Sequence, residues 1–524
     1  MLTITICDEI ASAVRTAPDT PVVVHSDTRP DSATVRELVD ESHRIAAGLH
    51  ALGIRPGDVV AVQLPNWREC FTAHAAIWLS GAVVLPIVPI YGPAEVAFIA
   101  RQSGARAIIL ARETRNRGVA PTLDALGDVA GLGHVVLVGE PLPGTVAFTD
   151  LADAAAPGFV PVAPKDPNDR CLLVYTSGTT AQPKGVQHSH AGLLGELRSM
   201  DQMRSSASGM TALSVFPSGH IAGTLGILRM FCRANATIAM DSWNPEHAAR
   251  LIARHQVRTS GGAPIHLGAI LDAAERHGLD LSSLTEYTTG AAGVAGTLIR
   301  RADRFGVGAF RCYGSSEHPT VSSGRPDDPL DKRADTDGRI TPGTEIRLVD
   351  DDGRDVAPGA AGEILTRGPE LFRGYTDDTH TASALVDGWF RTGDIGRLDG
   401  EGFLTITDRK KDIIVRGGEN ISSKEVEDVL SAHPAIAEAA AVGAADETYG
   451  ERVCAFVVVN DGARFELADA ADHFAACGLA RQKTPERIVV VRELPRTASG
   501  KVQKHVLRER LQTSHDGEER TWAG

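Results

Sequence analysis

Cysteine is sparse and scattered in this chain of 524 residues. Cys7, Cys70, Cys171, Cys232, Cys312, Cys454 and Cys477 stand singly, an odd number with no Cys-x-x-Cys pair. That spacing suits neither a disulfide framework nor a zinc site, so the thiols read as reduced. Positive charge is also short: 53 Lys and Arg against 67 Asp and Glu leave a net charge of −14. Such a surface lacks the clustered positive field that neutralises a phosphate backbone, and no nucleic-acid partner is expected. No uncharged apolar run approaches the roughly 20 residues of a membrane span. The opening MLTITICDEIASAVR has no basic segment leading into a long apolar one, so neither a membrane span nor export is expected and the location is read as cytoplasmic. Repeats and low-complexity tracts are absent too, and only the polar tail SHDGEERTWAG looks loose.

What remains is an ordinary globular composition, 43% hydrophobic and 23% charged, in a chain too long for one core, which implies two or more domains. Between residues 30 and 110, TVRELVDESHRIAAGLHALGI has helical periodicity, DVVAVQLP is strand-like and AIWLSGAVVLPI follows a helix, an alternation that predicts parallel α/β layers. A second such unit lies at 247–263, with HAARLIARHQ helical and VRTSGGAP a strand leaving into a turn. From about residue 338 the texture changes to short strands and tight turns. There EIRLVDDDGRDVAPGAAGEILTRG resembles a hairpin around Asp352-Gly353. Asp350, Asp351 and Asp352 fail as a calcium loop, because Arg354 takes the next ligand position and no Glu closes it; they read as a polar turn. After DRKKDIIVRGGENIS a fresh α+β pattern begins, with SKEVEDVLSAH helical, AAAVGA and RVCAFVVV strand-like, and a helix near Asp469 to Cys477.

The most informative stretch is CLLVYTSGTTAQPKGVQHSHAGLL, where an apolar strand, Cys171 to Val174, empties into a glycine- and hydroxyl-rich loop ending at Lys184-Gly185. Glycine lets backbone N–H groups approach oxygens closely, Thr176, Ser177, Thr179 and Thr180 offer hydroxyls, and Lys184 adds a positive charge. Nucleotide phosphate is the natural ligand, with a plain surface turn as the alternative. The Gly178-to-Lys184 spacing matches a Walker A loop, but Pro183 replaces its second glycine and Gly185 the Ser/Thr that would hold magnesium, so this is a different phosphate loop.

TSGTTAQPKG resembles the signature loop of the adenylate-forming superfamily of acyl-CoA synthetases, peptide-synthetase adenylation domains and beetle luciferases. FPSGHIAG, TTGAAGV, YGSSE, GWFRTGD, GFLTITDRKKDIIVRGGENIS and PRTASGK follow in the same order as that superfamily's core motifs. The resemblance spans roughly residues 30 to 510 and points to its acyl-CoA synthetase branch. It implies an α/β fold: a large N-terminal domain, 1–410, of layered α/β subdomains plus a small β subdomain, and a small mobile α+β C-terminal domain, 411–524. The implied reaction joins a carboxylic acid to ATP as acyl-AMP with release of pyrophosphate, then passes the acyl group to coenzyme A.

Residue by residue, the resemblance makes Lys501 the catalytic lysine, a compact charge suited to the negative charge that builds on phosphate oxygens during attack. Glu317 is the implied Mg2+ ligand, since Mg2+ on ATP prefers one or two protein carboxylates, and Lys184 joins it in catalysis. Tyr313 is expected to stack on adenine, beside Gly314, Ser315 and Ser316, with Gly290, Ala291 and Ala292 as the adenine-side loop. Asp394 is expected to accept the ribose hydroxyls and Arg409 to reinforce it, although an Asp after Gly is by itself a turn former. Gly178 completes the phosphate loop, and Gly417 and Gly418 are expected to line the pantetheine channel. Lys411 falls at the family's hinge. Two positions depart from the pattern: Ser316 stands for a usual Thr and keeps the hydroxyl, and Ala181 stands for a usual Gly.

His220 falls at the gate beside the acyl pocket, with a satisfied buried histidine as the alternative. Ala222, Gly226, Gly290, Cys312 and Gly314 are the other implied pocket residues, and their small volumes suggest a bulky acyl group. No Asp lies between Phe216 and Gly226, where amino-acid-activating relatives carry one, so an acid without an α-amino group is favoured. The partners are then a small carboxylic acid and CoA, in a monomer or homodimer. Two rival readings stay open: an enzyme loading a carrier-protein phosphopantetheine, and a nonenzymatic nucleotide-binding regulator.

Overall fold

The helix Val35–Ala51 starts where the Thr34 hydroxyl accepts from the Glu37 amide and the Glu37 carboxylate accepts from the Thr34 amide, a reciprocal capping box. Its Leu38, Ile45 and Leu49 are buried at helical spacing. The strand Val59–Gln63 follows, flanked in parallel by Val83–Pro86 and Ala107–Ala111. Alternate residues enter two different cores: Val60, Val62 and Val84 on one face, Val59, Ala61 and Val83 on the other. That is why these strands are apolar throughout rather than alternating. The structure is a computed structural model that describes residues 4–513, apart from 115–116, 154–163, 177–182, 205–209, 417–418, 447, 478, 480 and 498–499.

These strands belong to an eight-stranded sheet that also takes in Arg170–Thr176 and Lys184–Ser189. The unit at 247–263 belongs to a second, nine-stranded sheet. Within it Thr237–Met240, Ala212–Ser214, Thr259–Gly262, Glu286–Thr289 and Ala309–Tyr313 run parallel in that spatial order. The helices Pro245–His255 and Pro264–His277 cover it through Ala248, Ile252, Ile270 and Leu271.

Residues 345–409 build a small antiparallel sheet. Around Asp352-Gly353 the chain does turn back on itself, with Val349 bridged antiparallel to Asp355 and the Val356 amide donating to the Leu348 carbonyl at 2.9 Å, while the longer pairing of Glu345–Val349 is with Gly362–Arg367. Asp350 closes the polar turn, accepting from the Asp352 and Arg354 amides at 3.0 and 2.9 Å. Pairing then lapses at Pro358-Gly359, where proline has no N–H to donate and Gly359 takes a φ of +83°. From Ile414 onward a separate five-stranded sheet forms, centred on Ile436–Asp446 and Gly450–Val459. Its cores are filled by Val453 and Phe474 on one side and Cys454 and Leu507 on the other, all from this part of the chain. All seven cysteines are free thiols, and among the described residues no helix is long and apolar enough to cross a membrane.

Candidate active site

Parallel strands end in loops at one edge of their sheet, and ligands of such sheets bind there. A cavity of about 860 Å³ opens at this edge of the nine-stranded sheet. It gathers Thr176 and Lys184 from one sheet, Glu317 from the connection after the strand Ala309–Tyr313 of a second, Asp394 and Arg409 from the small β sheet, and Lys501 from the C-terminal region.

The phosphate loop is framed by an antiparallel pair in which Thr176 stands opposite Lys184. Ser177, Gly178, Thr179 and Thr180, with the departure Ala181, lie outside the described residues, as do Gly417 and Gly418. The Lys184 ammonium sits 5.4 Å from the centre of the Tyr375 ring, and the Tyr375 hydroxyl donates to Glu317 Oε1 at 2.7 Å. Burial and the Glu317 charge push the Tyr375 phenol up, so it stays a donor and holds the carboxylate in place. No motif marked Tyr375; it arrives because Gly374–Tyr375 pairs as a short strand beside Lys184–Ser189. Glu317 offers hard oxygens, the donor type Mg2+ takes from protein. The Ser315 hydroxyl accepts from the amides of Glu317 and His318, both at 3.2 Å, and the Ser316 carbonyl accepts from His188 at 2.7 Å, so the YGSSE turn is fixed.

Asp394 lies opposite Arg409 in adjacent strands. Its Oδ1 pairs with Arg409 Nε at 2.8 Å and its Oδ2 accepts the Tyr313 hydroxyl at 2.7 Å. Each carboxylate oxygen has a second lone pair, so a locked Asp394 still has acceptor capacity for a diol. Tyr313 thereby orients Asp394, and neither it nor Ala292 is among the cavity's lining residues, whereas Gly290, Ala291 and Gly314 are. Ala291 takes a φ of +65°, a left-handed turn that costs an alanine but costs a glycine little.

Lys501 lines the same cavity. Burial first, and then the neighbouring Arg409 charge, lower its pKa, opposed by Asp394 and Glu317. Lys411 also lines it, drawn down to about 8 by burial and Arg409. His220 precedes the helix Ile221–Cys232, and its Nε2 is buried without a hydrogen-bond partner among the described residues. Burial, then Lys501, bring it to about 4, so it is a neutral imidazole at pH 7.

Ala222, Gly226 and Cys312 line the same cavity. The argument from small volume needs correction at two of the glycines. A Cβ at Gly314 would meet the Pro319 carbonyl oxygen at 2.0 Å, and one at Gly290 would meet Cys312 Sγ at 2.7 Å, so both are small because backbone and side chain press on them. At Gly226 a Cβ would find only Ser214 Oγ at 3.7 Å, which is real room.

A family model described as AMP-binding enzyme matches residues 10–376, and one described as AMP-binding enzyme C-terminal domain matches 425–501. The chain belongs to the AMP-binding enzyme family. It is 34% identical over 515 residues to the medium-chain fatty-acid–CoA ligase of Escherichia coli K12, covering 96% of this chain and 90% of that protein. To the indoleacetate–CoA ligase of Aromatoleum aromaticum it is 33% identical over 480 residues, covering 90% and 92%. Among solved structures, ATP-bound MatB from Rhodopseudomonas palustris superposes with a TM-score of 0.86 at 25% identity, covering 97% of this chain and 99% of that one. Within its family the chain stands in the acyl-CoA synthetase branch, and it is an AMP-forming acid–CoA ligase.

Proposed function

We propose that the cavity runs both half-reactions, with Lys184, Glu317 and Lys501 gathered around the phosphates in the first and the C-terminal domain, 411–524, turning about Lys411 to admit CoA for the second. The observation that carries this reading is Lys501, from the C-terminal region, lining one cavity with Glu317, Asp394 and Lys184. During adenylation the acid's carboxylate attacks the α-phosphate and pyrophosphate leaves. A preorganised ammonium is worth most where charge accumulates on those oxygens. Glu317, steadied by Tyr375, would hold the Mg2+ that arrives with ATP, and Asp394, steadied by Tyr313 and Arg409, takes the ribose. His220, neutral and at the inner rim, closes the acyl end without competing for the acid's charge.

Two sets of contacts support the proposed boundary after residue 410. Lys410 is tied to Asp351 and Glu363 of the small β sheet at 2.8 and 3.4 Å. Arg508 of the last helix binds the Lys411 carbonyl at 3.3 Å and Asp412 at 2.8 Å. Contacts of neighbouring residues with different halves support a boundary at this point. A pH dependence follows. The arrangement that buries Lys411 binds fewer protons than one that exposes it, where a lysine titrates near about 10.4. Its cost is full below about pH 8 and is relieved as pH climbs from 8 towards 10. Energy transfer between a donor on the N-terminal region and an acceptor on the exposed Cys477 should report more of the buried arrangement over that rise. Lys411→Met should flatten the response; an unchanged response in that variant assigns it elsewhere.

The substrate is a carboxylic acid without an α-amino group, deep enough to reach past Gly226. Gly226→Leu should lower kcat/KM for bulky acids relative to acetate by roughly 10-fold or more through steric exclusion. Competition between acids of different size reads this directly, and constant relative rates would move the pocket elsewhere. The acceptor is free CoA, in keeping with the named ligases among the relatives, and the enzyme works in the cytoplasm. Offering free CoA and a holo carrier protein side by side tests this: thioester on CoA supports it, and thioester on the carrier alone removes it.

A further inference from the structure

The cavity does not end at the acyl gate. The strands Ala212–Ser214, Thr237–Met240, Thr259–Gly262 and Glu286–Thr289 are parallel and in register, so Ala212, Thr237, Thr259 and Glu286 form one row at their starting edge. The first three of these residues line the cavity, as do Gly262 and Gly290 at the finishing edge. Three residues of strand separate the two edges, about 10 Å. The helix Ile221–Cys232 gives the same depth independently: Ala222, Gly226 and Arg229 all line the cavity, and seven helical residues span about 10 Å. The far end is therefore a site of its own, reached only by the part of an acid most remote from its carboxylate.

That end is polar. Arg229 is held by a carboxylate, with its Nη2 on both oxygens of Glu196 at 2.7 and 2.8 Å. Arg204 is not. It lines the cavity, its closest carboxylate is Glu286 at 3.9 Å, and its Nε is buried with no hydrogen-bond partner among the described residues. Burial, then repulsion from Arg229, lower its pKa to about 10. Asn235 Oδ1, on the same lining, also lacks a partner among the described residues. Carboxylates are already crowded here. Glu196 pairs with Arg229, Asp201 with Arg229 and Arg233, and Glu286 faces Arg204, while Glu370, next to Glu196, is pushed up to about 8 by burial and that neighbour and so stays protonated at pH 7. Glu286, Glu196 and Asp201 already match Arg204, Arg229 and Arg233, so a second carboxylate on the substrate would bring a negative charge with no cation left to balance it. A neutral oxygen would instead accept from Arg204 at no charge cost, and a buried donor left without an acceptor is costly.

We infer that the acid this enzyme takes carries an uncharged oxygen function, a carbonyl or hydroxyl, at the end remote from its carboxylate, where Arg204 receives it. The inference rests on the acid–CoA ligase reading and names the substrate class for it. A matched set of equal chain length tests it: decanoate, 9-oxodecanoate and decanedioate, each assayed for pyrophosphate release with the full-length enzyme. The expected result is a kcat/KM for 9-oxodecanoate about 10-fold or more above that for decanoate, with decanedioate below both. Arg204→Gln should bring the ratio of the first two acids towards one. Equal use of decanoate and 9-oxodecanoate by the wild-type enzyme, or a preference for decanedioate, would overturn the inference whatever the stability of the variant. So would an undiminished ratio in an Arg204→Gln protein that melts like wild type. Release with other acids but none of these three also overturns it, while release with no acid at all removes the ligase reading itself.

Discussion

Lys501→Ala is expected to lower the rate of acyl-adenylate formation by roughly 100-fold or more, the scale seen when one preorganised charge stabiliser is removed. The reason is positional. Lys501 sits with Asp394, Glu317 and Arg409 as its charged neighbours, in the cavity that also holds Lys184, so its ammonium acts on phosphate charge and on nothing in the thiol step. CoA attack on supplied acyl-AMP should therefore proceed at a near-normal rate. Single-turnover kinetics of the two half-reactions, run separately, decide the matter. Folding is a small concern: the Thr497 amide donates to the Lys501 carbonyl at 2.8 Å and the Lys501 amide donates to Thr497 Oγ1 at 3.2 Å, bonds an alanine keeps. Unchanged adenylation would remove Lys501 from the mechanism.

Lys411→Pro is expected to split the reaction the other way. Proline fixes φ near −65° and removes a backbone donor at the residue assigned to absorb the rotation. With the chain held as in the structure, Lys501 still reaches the phosphates, and acyl-AMP should form at a near-normal single-turnover rate. Thioester production should fall by roughly 100-fold, the rate equivalent of a backbone penalty of ~3 kcal/mol. A general folding defect would depress both steps and lower the melting temperature, so a thermal scan accompanies the kinetics. Equal losses at unchanged stability would count against this pivot, and normal thioester formation would refute it.

Much of this site was legible in the sequence because its residues sit in short motifs whose chemistry is local. Asp394 and Arg409 meet as register partners, and Thr34 and Glu37 cap a helix from three residues apart. Apolar runs such as Val59–Gln63 were readable as strands of a parallel α/β layer. What escaped the sequence is contact between distant segments. Tyr375 reaches Glu317 only through a two-residue strand pairing, and Arg204 meets Glu286 across 82 residues of chain. Tyr313 carries the motif's aromatic ring, but its hydroxyl belongs to Asp394, a partner 81 residues away. Gly290 and Gly314 mislead for a related reason: smallness looks the same in a sequence whether it makes room, as at Gly226, or yields to a neighbour, as at Gly314.

Acid-dependent exchange of labelled pyrophosphate into ATP, measured without CoA, tests the central claim most directly, because exchange requires a reversible acyl-adenylate on the enzyme. Label should enter ATP only when a suitable acid is present, and Lys501→Ala should suppress it. Exchange that ignores the acid, or no exchange in the presence of an acid that yields acyl-CoA, would contradict the account.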